Sequence, residues 1–138
     1  VDVSGAGGTS WVAVETERAT AQRRGLGDTF REWGIPTAAT VAFCARYDFA
    51  TIIATGGLAS GLDAARAIAL GASAVGIARP LLIEFERGGI AAVREFLKRV
   101  QTELRMAMLL CGARDLASLR AAPRLLRAPL AEWLSSRA

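Results

Sequence analysis

Two glycine clusters and one arginine follow three short apolar segments of the chain, and their types and spacing suit the binding of a phosphate group. Residues 4–8 read SGAGG, residues 55–57 read TGG, and residues 76–80 read GIARP. Glycine lets backbone N–H groups approach a phosphate without interference from a Cβ atom, and the guanidinium of Arg79 can bind two phosphate oxygens at once. We therefore predict a phosphate site at the TGG loop and Arg79.

Each of these features also has a structural interpretation. The glycines suit tight turns between strands and helices, and Arg79 suits a solvated loop. The dinucleotide-binding pattern GxGxxG is absent, because SGAGGTS has the wrong spacing after its first glycines. The presence of two clusters one βα unit apart favours the phosphate site.

The secondary-structure elements that must position these residues are predicted to alternate between strands and helices as βα units. Residues 1–5, 51–57 and 73–80 are short and apolar, which is typical of buried parallel strands. Between and after them we predict helices over Ser10–Arg23, one turn in 25–34 capped by Asp28, Thr37–Tyr47, 60–71, Ile90–Leu110, Asp115–Arg120 and Leu130–Leu134.

This order indicates an α/β fold with a parallel sheet, whose ligands bind at the carboxyl ends of the strands. Ser60 begins the helix after the TGG loop as its cap, with Asp63 three residues on. We expect the positive end of that helix to point at the phosphate site.

Composition limits the class of protein. The chain has 138 residues, of which 52% are hydrophobic, and no apolar run reaches the roughly 18 to 20 residues of a membrane span. We predict a cytoplasmic protein with no membrane partner. The net charge of +4 is scattered along the chain, without the basic stripe that would predict nucleic-acid binding.

Cysteine and histidine usage limit the chemistry. Cys44 and Cys111 stand alone in apolar helical contexts and are predicted to be reduced core thiols. The chain has no histidine, which removes the commonest general base. Proton chemistry must then come from a carboxylate, a cofactor or residues outside this chain. Glu15 and Glu17 are interpreted as solvated helix carboxylates, and no catalytic side chain is predicted.

Four stretches together resemble the C-terminal part of type 2 isopentenyl-diphosphate isomerases, a family of FMN-dependent (β/α)8 barrels. They are DVSGAGGTSW, GLGDTFREWGIPTAAT, IIATGGLASGLDAARAIALGASAVGIARPLL and ELRMAMLLCGA with the following DLASLR. The resemblance covers nearly the whole chain in order. It implies that residues 1–138 are one partial domain holding about the sixth to eighth strands of a TIM barrel, cut inside the sixth.

The resemblance assigns eight residues to FMN binding. They are Ser4 and Thr9 in the first glycine loop, Gly56, Gly57, Leu58 and Ala59 in the second, and Ala78 and Arg79 after the third strand. The family usually has an arginine or another polar residue where this chain has Ala59, so a side-chain contact to the phosphate is lost there.

The activity that the resemblance implies is the isomerisation of isopentenyl diphosphate to dimethylallyl diphosphate in isoprenoid biosynthesis. The resemblance also implies that reduced FMN acts as the acid/base, that NADPH reduces the flavin, that Mg²⁺ binds the diphosphate and that the intact protein is a homo-oligomer. The family's Gln-Glu pair, flavin-contacting lysine and basic substrate residues have no counterpart here. We therefore expect the chain alone to be inactive and to expose an apolar sheet edge and barrel face.

Two alternatives remain open from the sequence. An α-hydroxy-acid oxidase or dehydrogenase is also an FMN barrel, but it uses a histidine near the end of the sixth strand, where this chain reads SGAGGT. A non-catalytic flavin- or phosphate-binding remnant would keep the glycine loops without turnover.

Overall fold

The centre of the structure is a small parallel sheet. The computed structural model describes residues 1–135. Strands β1 (Ile53–Ala54) and β2 (Ala74–Val75) pair in parallel with Ile53 opposite Ala74. Residues 1–5 run parallel along the other side of β1, where the Val3 N–H donates to the Ile53 carbonyl at 3.1 Å. The predicted parallel order is therefore confirmed.

The regular strands are shorter than predicted. Pairing extends over two residues in each strand rather than over 51–57 and 73–80. Gly56 and Gly57 have positive φ angles, which end the extended conformation of β1 directly after Thr55. Arg79 and Pro80 belong to the following helix and not to a strand.

Seven helices are described within residues 1–135. They are α1 (Trp11–Arg18), α2 (Ala21–Thr29), α3 (Thr37–Cys44), α4 (Gly61–Ala69), α5 (Arg79–Leu110), α6 (Leu116–Ala121) and α7 (Leu130–Ser135). The caps predicted for α4 and α6 are confirmed, because Ser60 accepts from the Asp63 N–H and Asp115 from the Ser118 N–H. Helix α3 ends three residues before the predicted Tyr47.

The prediction of one helix over Ser10–Arg23 is wrong. Ala19 and Thr20 are extended, so the chain forms α1, turns and then forms α2. The guanidinium of Arg24 stabilises this turn by donating to the carbonyl oxygens of Ala19 and Glu17 at 3.3 and 3.4 Å. Asp28 lies near the end of α2 rather than at a helix start, and its carboxylate pairs with Arg31 at 3.3 Å.

Helix α5 begins eleven residues before the predicted Ile90, at Arg79. It is interrupted at Gly88 and Gly89, which have non-helical angles. The segment 79–87 is thus a separate helical arm that follows β2, and the predicted amphipathic helix is the segment after the break. Sequence periodicity missed the arm because Pro80 was interpreted as the end of a strand, whereas proline also suits the first turn of a helix.

The core is small and rich in alanine. One cluster joins Val41, Ala54, Leu58, Ala67 and Ala72 beneath the sheet, and a second lies between α4, α5 and α6. Large apolar side chains remain exposed away from the sheet: Trp33, after α2, and Leu110, at the end of α5, are each 80% exposed.

The cysteines differ from the prediction of core thiols. Cys111 is exposed at the end of α5, and Cys44 is only partly buried. Helical context alone did not show that Cys111 lies past the last packed turn. None of the helices in residues 1–135 is long and apolar enough to cross a membrane.

Candidate functional site

A cleft of about 760 Å³ lies at the carboxyl ends of the three parallel segments. The first glycine loop, the TGG loop and the start of α5 form its walls. All the residues predicted from the sequence line it: Ser4, Thr9, Gly56, Gly57, Leu58, Ala59, Ala78 and Arg79. The fold therefore brings together three loops that are separated by up to about half of the chain.

The first loop is held by a carboxylate beneath the cleft. The Asp2 carboxylate accepts hydrogen bonds from the Thr55 hydroxyl and, at 3.1 Å, from the Ser4 N–H. The Ser4 N–H also reaches the Thr55 hydroxyl at 3.1 Å. These contacts hold Ser4 at φ 36°, a left-handed conformation that is uncommon for a residue other than glycine. Backbone strain at a cleft-lining residue is typical of functional sites.

The TGG loop packs directly on the first glycine loop. A Cβ atom added at Gly57 would overlap the carbonyl oxygen of Gly7, and Gly57 has φ 88°. The Thr37 hydroxyl donates to the Gly56 carbonyl at 2.6 Å. This hydrogen bond also holds the TGG loop in place against the first glycine loop. The glycines are therefore required first for loop-to-loop packing. Among the described residues, the N–H groups of Gly57 and Leu58 donate to no protein acceptor.

The N-terminus of α4 does not provide the positive end that the sequence predicted. The Asp63 carboxylate accepts from the Ala59 N–H at 3.2 Å and from the Ser60 hydroxyl at 2.7 Å. The Glu103 carboxylate, from α5, accepts from the Gly61 N–H at 2.6 Å. Two acidic side chains therefore satisfy polar groups at this helix end, and its first-turn residues lie outside the cleft.

The N-terminus of α5 has the opposite character. No side chain caps it at Ala78, and Pro80 has no N–H to satisfy. The Leu82 N–H is the first to find a helical acceptor, the Ala78 carbonyl at 3.1 Å. The amide groups before it have no partner inside the helix. Arg79, exposed at the first helical position, adds a full positive charge at the same place.

Eleven further residues line the cleft beyond the eight predicted ones, and five of them carry side chains that shape its floor and walls. Thr55 lies under Ser4, and Trp11 opens α1 at one rim. Ile83, Glu84 and Arg87 line the opposite wall from the helical arm, where Arg87 contacts the Glu84 carboxylate at 3.4 Å. The spacing of 79, 83 and 87 by four residues is the signal that would have found this wall, once the arm is recognised as a helix.

The described part of the chain shows no resident metal centre. Within residues 1–135, no three acidic, cysteine or histidine side chains are grouped so that they could hold a metal ion. Glu15 and Glu17 lie exposed on α1, each within 3.5 Å of an arginine. The polar groups that line the cleft are mainly amides, hydroxyls and guanidinium groups, which suit an anion. The exception is the Glu84 carboxylate, which pairs with Arg87.

Comparison with known proteins defines the class. A family model described as FMN-dependent dehydrogenase matches residues 36–127. The chain therefore belongs to the FMN-dependent dehydrogenase family. Its structural neighbours are TIM-barrel flavoenzymes. One is a mandelate oxidase at 30% identity and TM-score 0.61, which covers 64% of this chain and 28% of the oxidase.

The similar curated proteins carry a more specific name. A protein of Methanothermobacter thermautotrophicus named isopentenyl-diphosphate delta-isomerase is 46% identical over 137 residues, 99% of this chain. A protein of the same name from Pyrococcus abyssi is 41% identical over 138 residues. The resemblance predicted from the sequence is confirmed. The chain spans 38% and 37% of the length of these relatives.

Another neighbour shows what a related structure holds. A mandelate oxidase variant solved with a monooxide FMN adduct is 32% identical to this chain, with a TM-score of 0.58. It covers 66% of this chain and 28% of the oxidase. Flavocytochrome b2, at 22% identity and TM-score 0.55, matches in fold alone.

Proposed function

We propose that this chain forms the phosphate end of an FMN site in a protein that isomerises isopentenyl diphosphate to dimethylallyl diphosphate. The observation that carries the proposal is the cleft, which gathers two free loop amides, an uncapped helix end and Arg79. Support for the reaction comes from relatives named isopentenyl-diphosphate delta-isomerase, which match 97–99% of the chain at 39–46% identity.

The residues present fit a flavin phosphate. The Gly57 and Leu58 amides and the start of α5 donate to the phosphate oxygens, and Arg79 pairs with its charge. The Ser4 and Thr9 hydroxyls donate to or accept from the flavin from the first loop. Ala59 and Ala78 line the site through their backbones, so the loss of the usual polar side chain at position 59 leaves Arg79 as the principal cation.

The bound flavin supplies the proton chemistry of the reaction. The side chains of this chain bind and orient it. This assignment suits a chain without histidine, because none of its residues has to act as the general base. No residue of the chain is proposed as catalytic.

The finer architecture follows from the same family. We assign residues 1–5, β1 and β2 to the sixth, seventh and eighth strands of the barrel, so that residues 1–138 are one partial domain. The parallel pairing in chain order agrees with this assignment. Binding of Mg²⁺ and NADPH, a homo-oligomer and a cytoplasmic location are family expectations that stay predictions.

The second candidate function for the same fold is that of an α-hydroxy-acid oxidase. Its support is the set of structural neighbours named mandelate oxidase, whose identity of 30–32% is lower than that of the isomerase relatives. The absence of histidine from the chain argues against the proton abstraction that this reaction requires.

The experiment uses the protein that carries this chain. After purification with FMN, it is incubated with isopentenyl diphosphate, Mg²⁺ and NADPH, and separately with glycolate, lactate and mandelate. We expect dimethylallyl diphosphate to form only in the first mixture and only with FMN present. Oxidation of a hydroxy acid without isomerisation would replace the proposal with the oxidase. Flavin binding with neither activity would indicate a non-catalytic remnant.

A further inference from the structure

One hydrogen bond ties the first residue of α4, which follows the TGG loop, to a distant part of the chain. The Glu103 carboxylate, near the C-terminal end of α5, accepts from the Gly61 N–H at 2.6 Å across 42 residues of sequence. The bond is partly buried, and the Glu103 side chain is 37% exposed. Helix caps usually come from the residues beside the helix, and α4 already has such a cap in Ser60. Glu103 is therefore additional to the ordinary cap.

The two helices touch through their backbones at this point. A Cβ atom added at Gly61 would overlap the carbonyl oxygen of Val100 and lie 2.5 Å from the Cβ of Glu103. Gly61 is buried. Such close contact leaves little freedom for the first turn of α4 to shift along α5. The Glu103 carboxylate adds a hydrogen bond to the Gly61 amide at the same contact.

The segment 56–61, which runs from the TGG loop to the first residue of α4, is thus held at both ends. At its start, Thr37 bonds the Gly56 carbonyl at 2.6 Å. At its end, Asp63 holds the Ala59 amide and Glu103 holds the Gly61 amide. Between these two clamps, the Gly57 and Leu58 amides have no protein acceptor among the described residues. Fixed ends with free central amides are what a preorganised anion site requires.

We propose that Glu103 is a positioning residue for the phosphate loop, acting through Gly61 on the orientation of the Gly57 and Leu58 amides. The inference rests on the proposed FMN site. The carboxylate also carries a negative charge, and charge alone near a phosphate weakens binding. The length of the Glu103 side chain, which lets it reach Gly61, should therefore raise phosphate affinity, whereas its negative charge should lower it. Variants that change only the length or only the charge distinguish positioning from electrostatics.

The test compares Glu103→Gln with Glu103→Asp in the protein that carries this chain. Gln keeps the reach and an acceptor oxygen without the charge, whereas Asp keeps the charge on a side chain one methylene shorter. We expect E103Q to bind FMN within about twofold of the unaltered protein and E103D to bind about tenfold more weakly. The ³¹P NMR signal of the bound phosphate should shift in E103D and stay unchanged in E103Q.

Glu95 provides the matched control. It is an exposed glutamate on the same helix, paired with Lys98 at 2.7 Å, and E95D should leave FMN affinity and the ³¹P signal unchanged. A purely structural role for Glu103 would lower the unfolding temperature of E103D without moving the ³¹P signal of its bound FMN. That result, or FMN affinity in E103D equal to that of the unaltered protein, would overturn the inference. A loss in E103Q as large as in E103D would also overturn it.

Hydrogen exchange of the unaltered protein tests the same inference without a variant. The Gly61 amide should be protected before FMN is added, and the Gly57 and Leu58 amides only afterwards. Free exchange at Gly61 in the absence of FMN would contradict a preset loop, whatever the variants do. Failure of the unaltered protein to bind FMN would instead contradict the proposed function itself, and the inference would fall with it.

Discussion

Helices α4 and α5 both begin at the same end of the sheet, yet their N-termini have opposite electrostatic character. The start of α4 is closed by the Ser60 hydroxyl and by the carboxylates of Asp63 and Glu103. The start of α5 has no side-chain cap and carries Arg79. A glycine loop before a helix is therefore not enough to define an anion site, because the protein can satisfy that helix end itself.

We infer from this difference that the N-termini of α4 and α5 have different roles in the proposed site. The α4 end fixes the residues that follow the TGG loop, and the Gly57 and Leu58 amides before them have no protein acceptor among the described residues. In the proposed site, the α5 end supplies the positive field and Arg79 the bidentate cation. In this account the phosphate binds between the TGG loop and α5, and α4 contributes position but no charge.

The largest expected effect comes from breaking the loop-to-loop contact. Gly57→Ala places a Cβ against the Gly7 carbonyl and forces a side chain into φ 88°. We expect a loss of about 2 to 4 kcal/mol in the free energy of unfolding, and FMN binding weakened about tenfold. Urea unfolding and a flavin fluorescence titration measure the two effects.

Gly25→Ala is the control for this change. Gly25 lies within α2, and an added Cβ there meets nothing within 4 Å. Alanine should raise stability by about 0.5 to 1 kcal/mol and leave FMN affinity unchanged. Equal stability of G57A and G25A would show that the Gly57 contact is not required.

Removing the cation at the α5 end should weaken FMN binding without weakening the fold. Arg79→Gln keeps a polar side chain but shortens it and loses the charge and the paired donors, so we expect about tenfold weaker FMN binding. Arg94→Gln, on the exposed face of the same helix, should change nothing. If R79Q and R94Q bind FMN equally well, Arg79 is only a solvated arginine.

The cap of α4 should affect stability more than binding. Ser60→Ala leaves the Asp63 N–H without its acceptor, which should cost about 1 kcal/mol of unfolding free energy. FMN affinity should stay within about twofold, because Glu103 still holds Gly61. A tenfold loss of FMN affinity in S60A would mean that the α4 end binds the phosphate directly.

A new cation at the α4 side should strengthen the site. Ala59 is exposed and lines the cleft, so Ala59→Arg adds a guanidinium directly beside the TGG loop. We expect FMN to bind about threefold tighter in low salt, with the gain lost in high salt. Unchanged affinity at both salt concentrations would place the phosphate away from residue 59.

A third helix start gives the smallest effect. The hydroxyl of Ser118, followed by its backbone N–H, lowers the pKa of Asp115, the cap of α6. A lowered pKa in the folded state means that the stabilisation is present at neutral pH and is lost as the pH falls through that pKa. Asp115→Asn should therefore flatten the acid side of the stability profile slightly. An identical profile would show that the cap is immaterial.

Sequence reasoning predicted the parts of this molecule that depend on local chemistry. The parallel order, the caps Ser60 and Asp115 and the convergence of the eight cleft residues agree with the structure. Local rules could not show that Glu103 reaches Gly61, because that contact joins residues 42 apart. They also placed Pro80 in a strand, although the same residue begins a helix equally well.

The central claim is that the cleft recognises a phosphate, and riboflavin tests it most directly because it is FMN without that group. Both ligands are titrated by flavin fluorescence into the protein that carries this chain, prepared free of flavin. The account predicts that FMN binds about a hundredfold or more tightly than riboflavin, and that R79Q narrows this ratio. Equal affinity for the two ligands would contradict the account.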